Sequence, residues 1–126
     1  MKALPLIVGA WLLCVGCVAA ADLPTDIEAA QSASIQSQSK HPDYYGKVLQ
    51  PFFYEKVLSQ CVQHSFEDKG AFVVVLALDA DGKVIRVYES SKTRVSSCLD
   101  AQVAKIVFPK PPAAPFFAAF DMRFEK

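Results

Sequence analysis

Seven consecutive apolar residues, Phe72 to Leu78, constrain the fold of this chain more than any other stretch. Successive side chains of a strand point to opposite faces, so Phe72, Val74, Leu76 and Leu78 line one side and Val73, Val75 and Ala77 the other. A strand apolar on both faces belongs at the centre of a sheet. Asp79-Ala80-Asp81-Gly82 then reverses the chain, with Gly82 free to take a positive φ. The return strand, 84–90, sets Ile85 and Val87 against Arg86 and Tyr88, the pattern of a half-exposed strand.

Helices flank this hairpin. Pro51 suits a first helical turn, where a missing N–H costs nothing. Phe53, Val57 and Cys61 follow at four-residue steps, which predicts an amphipathic helix to about Gln63 with Cys61 on its buried face. A second helix carries Val95, Cys98, Leu99, Val103 and Ile106 on one face. Thr93 is its N-cap, without the Glu or Gln partner of a capping box. Pro109, Pro111 and Pro112 end it. Residues 116–124 alternate again, with Phe116, Ala118, Phe120, Met122 and Phe124 facing the core and Phe117, Ala119, Asp121 and Arg123 facing away. The fold class expected is α+β: a small antiparallel three-stranded sheet with two helices on one face, in the order α-β-β-α-β.

The N-terminal third reads as delivery and attachment. Lys2, an apolar run and Ala19-Ala20-Ala21 have the order of a secretory signal peptide ending near residue 21. Cys17, after Gly16, also offers a lipid acceptor, although Cys14 stands where a bacterial lipobox has an aliphatic residue. The domain contacts a membrane only if Cys17 is lipidated. Residues 22–46 read as a flexible tether and aromatic lead-in loop, because 31–39 are Gln, Ser and Ala around one Ile. The domain itself is expected over 47–126.

Export leaves Cys61 and Cys98 as an even pair, which reads as a disulfide closing a loop of about 38 residues. In the chain-entropy model such a bridge contributes about 4 kcal/mol. The formal net charge is +0. Without clustered Lys and Arg there is no footprint for nucleic acid.

Beyond these residue-level signals, the chain resembles a known family. Phe72 to Leu78, Asp81-Gly82-Lys83-Val84 and Ser90-Ser91 are similar to the C-terminal domain of TonB. So are Ala104-Lys105-Ile106, the Phe108-Pro109-Lys110-Pro111-Pro112 exit and the closing Phe-x-Met-x-Phe strand. The Ala-Lys-Ile and Pro-Lys-Pro-Pro elements also resemble TolA. The likeness spans about residues 51–124. It implies a periplasmic domain of a Gram-negative cell envelope that binds a partner protein by sheet-edge pairing and serves transport or assembly. The family's transducing role does not carry over. The apolar N-terminal run lacks the Ser/His coupling pair, and a tether of about 20 residues reaches only about 25 Å as a coil.

Candidate sites follow. The second and last strands are the expected sheet edges, open to an extended partner segment or to a second copy of the chain. Tyr88, Phe117, Ala119, Asp121 and Arg123 are the candidate partner-binding residues. Cys61 and His64, with Cys98 and His41, are the residue types of a zinc site, but their spacing is not that of a closed one. His64, Ser65 and Asp68 are the types of a hydrolase triad, yet sequence neighbours rarely converge on one centre. No cofactor and no reaction are expected. An alternative is a small secreted inhibitor or immunity-type protein, plugging an envelope enzyme with the loop at 65–70 or 110–115.

Overall fold

The computed structural model describes residues 23–62 and 71–123. The signal sequence, Cys17, His64, Ser65, Asp68, the loop at 65–70 and Phe124 lie outside the described residues.

Three strands form one antiparallel sheet: β1 (Phe72–Leu78), β2 (Val84–Glu89) and β3 (Phe116–Met122), in the spatial order β2-β1-β3. The doubly apolar strand is central, as its pattern predicts. Val75 pairs with Tyr88 on one side and with Ala119 on the other. Gly82 closes the hairpin at φ 91°, and Asp79 Oδ1 accepts from the N–H groups of Asp81 and Lys83. The chain after the last helix returns along the start of the hairpin, where Phe108 N–H donates to the Gly82 carbonyl at 2.8 Å. A Cβ on Gly82 would sit 2.0 Å from the Phe108 carbonyl oxygen, so that approach requires glycine.

The even-numbered face of β1 and β3 holds the main core. Phe53 stacks on Phe120 with ring centroids 3.9 Å apart, and Leu76, Leu99, Phe108 and Phe116 are fully buried around them. Helices α2 (Gln50–Lys56) and α3 (Arg94–Val103) cover this face. α2 is shorter than the predicted helix to Gln63. It continues upstream into a widened turn at Tyr44–Leu49, where Gln50 N–H bonds the Tyr45 carbonyl, and downstream into a 3₁₀ turn at Leu58–Gln60. Pro51 sits at the upper junction without an N–H for the preceding turn, and widening there relieves the clash of its ring with that turn. The expected lead-in loop is therefore largely helical. The two tyrosines pack half-buried rings against the core and keep their hydroxyls bonded, Tyr44 to the Pro109 carbonyl and Tyr45 to the Ala119 carbonyl, each at 2.5 Å.

α3 starts on a complete capping box. Thr93 Oγ1 accepts from Ser96 N–H at 2.9 Å, and Ser96 Oγ accepts from Thr93 N–H at 2.7 Å. A serine hydroxyl thus does the work expected of Glu or Gln. Cys61 and Cys98 are joined, with Cα atoms 5.7 Å apart, which fastens the end of the 3₁₀ turn to α3.

The largest departure lies upstream. Residues expected to form a flexible tether build α1 (Ile27–Lys40), capped by Asp26, whose Oδ1 accepts from Ala29 N–H at 2.8 Å. α1 packs on the face of the sheet opposite α2 and α3, where Leu23, Ala30, Val75, Ala77, Tyr88 and Phe117 form a second buried cluster. The class is α+β as predicted, but both faces of the sheet carry a helix.

Candidate sheet-edge interface

A three-stranded sheet has two outer edges, and the fold treats them differently. In an antiparallel ladder each edge strand directs alternate main-chain groups toward its partner and the rest outward. On β3 the outward groups belong to Phe117 and Ala119. Ser37 Oγ accepts from Phe117 N–H at 3.1 Å, and Gln38 Oε1 accepts from Ala119 N–H at 3.0 Å. The Tyr45 hydroxyl takes up the Ala119 carbonyl. α1 and Tyr45 thereby stand where a fourth strand would, and this edge is closed over two successive outward positions.

On β2 the register runs the other way. Ser90 N–H donates to the Val73 carbonyl at 3.0 Å, and Tyr88 pairs with Val75, so Tyr88 and Ser90 turn their main chain inward. Val87 and Glu89 therefore turn theirs outward. Among the described residues none bonds the outward groups of Val87. The edge is covered, among the described residues, only at its beginning, where Lys83 forms an isolated antiparallel bridge with Val107, and is open among them from Ile85 to Glu89. Ile85 is 44% exposed, and Arg86 lies over the Tyr88 ring at 5.3 Å from its centroid.

The candidate residues divide accordingly. Phe117 was expected to face solvent, but it is 7% exposed, buried beneath α1. Tyr88 is likewise buried, with its hydroxyl bonded to the Pro24 carbonyl at 2.7 Å; burial raises its pKa above the ordinary tyrosine value. Ala119 is half-buried, with both main-chain groups bonded. Asp121 and Arg123 are exposed and pair with each other, Arg123 Nη2 lying 3.1 Å from Asp121 Oδ2. They flank the closed edge. Cys61 and Cys98 are consumed by their bridge, which removes both thiolates as metal ligands or redox groups. Ile85 and Val87 carry the open edge and were not among the candidates, although their place on a half-exposed strand after the Asp-Gly turn was the signal for it.

At the exit of β2, the Glu89 side chain is 4% exposed and forms an ion pair with Lys92 at 2.6 Å; Lys92 also reaches Asp100 on α3 at 3.3 Å. Loss of water, then the neighbouring Asp100 carboxyl, push the Glu89 acid up to about 7, against the pull of Lys92.

No family model, curated protein or solved structure matches the chain.

Proposed function

We propose that this chain is an exported protein-binding domain of the Gram-negative cell envelope, of the TonB/TolA C-terminal kind. In this reading it takes an extended segment of a partner protein onto the free edge of β2. The observation that carries the proposal is the asymmetry of the edges: on β3 the outward N–H groups of Phe117 and Ala119 are bonded by α1, while on β2 that of Val87 has no partner among the described residues. An unpaired edge gains main-chain hydrogen bonds when a strand is added, and flanking side chains supply selectivity. Ile85 favours an apolar residue across from it. Arg86, on the other face, favours an acidic one. The disulfide supports passage through an oxidising compartment, and the order α2-β1-β2-α3-β3 agrees with the family resemblance.

Val87→Pro tests the edge. Proline removes an outward N–H that the fold does not use, whereas the inward ladder stays intact. A photo-crosslinker at Ile85 in envelope preparations should give an adduct that maps to one extended segment of a partner. The same crosslinker in the Val87→Pro background should lose it while circular dichroism stays native. An adduct unaffected by the proline, or one scattered over unrelated surfaces, would sink the proposal.

A further inference from the structure

The end of β2 and the middle of α3 meet through two carboxyl groups and one ammonium. Lys92 Nζ holds Glu89 Oε1 at 2.6 Å and Asp100 Oδ2 at 3.3 Å. Each acid keeps a second oxygen, Glu89 Oε2 and Asp100 Oδ1, and both are buried with no donor among the described residues. The two carboxyl groups thus converge on one ammonium. Two carboxylates cannot satisfy one another, because an ionised carboxyl group only accepts; a protonated one has an O–H to give. Buried polar atoms in folded proteins are rarely left unpaired, so these two oxygens call for a donor.

We propose that Glu89 and Asp100 share one proton between Oε2 and Oδ1, and that this proton, with Lys92, clamps α3 to the end of β2 and releases it when the proton leaves. With the proton in place the pair carries one negative charge, opposite the single positive charge of Lys92. When the proton passes to water, two negative charges face each other at a site where Glu89 is almost wholly out of solvent. Among the described residues, the charged groups that act on Glu89 are Asp100 from α3 and Lys92 from the β2–α3 loop. One lysine cannot neutralise both acids. The clamp stands whether or not the β2 edge takes a partner.

The sign of the pH effect follows from the raised pKa of Glu89. A carboxyl group that holds its proton more tightly in the folded state stabilises the fold at low pH. That stabilisation is lost as pH rises from the ordinary glutamate range through about 7.

The experiment follows the Glu89 side-chain carboxyl by carbon NMR, alongside thermal unfolding from about pH 5 to about pH 8. The Glu89 titration should have its midpoint near 7, and the melting temperature should fall across that window. Hydrogen exchange of the α3 amides, corrected for base catalysis, should rise tenfold or more as the proton leaves. Glu89→Gln places a permanent N–H donor opposite Asp100 and should flatten the pH dependence. Asp100→Asn gives Glu89 a donor and should return its midpoint toward the ordinary glutamate value. A midpoint near the ordinary value in the unaltered protein overturns the shared proton, and this measurement stands even if a variant fails to fold. Unchanged α3 exchange across the titration overturns the clamp.

Discussion

Phe117→Ala separates a sheet covered on both faces from one covered on a single face. Phe117 is 7% exposed and lies among Leu23, Ala30, Tyr88 and Ala77. Truncating a buried phenylalanine removes its transfer free energy and leaves a cavity, together about 3–5 kcal/mol. α1 contributes mostly small side chains to this cluster and can settle into part of the space, so a cost of about 3 kcal/mol is expected. If residues 22–40 were a loose tether, Phe117 would face water and the change would cost no more than about 0.5 kcal/mol. Urea unfolding with the disulfide intact reads the difference directly, given equal slopes for the two proteins. Amide exchange gives an independent readout, because loosening α1 should speed exchange at Phe117 and Ala119, whose N–H groups it bonds. A loss below about 0.5 kcal/mol with unchanged exchange would refute the packing of α1 on this face.

Two further perturbations test how the elements are fastened. Replacing Cys61 and Cys98 together by alanine opens a link across 37 residues and should lower stability by about 4 kcal/mol in the same urea assay; a loss under about 1 kcal/mol would mean that the bridge constrains little. Gly82→Ala combines a left-handed φ with a Cβ directed at the Phe108 carbonyl, and calorimetry should show a loss of at least about 2 kcal/mol, a neutral result excluding the close return of residues 106–108.

The parts of this fold that were legible in the sequence are those where one local pattern sufficed. The unbroken apolar run of β1 announced a central strand, and the Asp-Gly turn with the alternation of β2 announced a hairpin whose second strand is an edge. The cysteine pair was readable because, with the apolar N-terminal run set aside, two cysteines remain and an even pair reads as a bridge. The capping box was missed because its partner is Ser96, whose short hydroxyl bonds the Thr93 N–H as a longer Glu would. The end of α2 was missed because Val57 and Cys61 keep four-residue spacing through a 3₁₀ turn, so periodicity alone did not reveal the tightening. α1 left the weakest trace. Its apolar residues do not mark one clear face: Ile27 packs on the second cluster while Ile35 is 64% exposed. The signal for it lay instead in the sheet, where Val73, Val75, Ala77 and Phe117 made a second apolar face that needed cover.

The polarity that makes α1 look like a linker is also what lets it close an edge. Serine is a modest helix former, and α1 buries only Ala30 and Ser34 fully. An apolar helix at this position would leave the outward N–H groups of Phe117 and Ala119 stranded beneath it, at a cost of about 1–3 kcal/mol each. Ser37 and Gln38 bring oxygen atoms to both, two strand positions apart, as the carbonyls of a neighbouring strand would. α1 therefore combines cover for the second face with hydrogen-bond acceptors for the β3 edge. Among the described residues β2 has no such neighbour beyond its first residues. A strand added to this sheet meets on one side an edge closed at Phe117 and Ala119, and on the other the run from Ile85 to Glu89, open among the described residues, which ends at the carboxyl pair that ties it to α3.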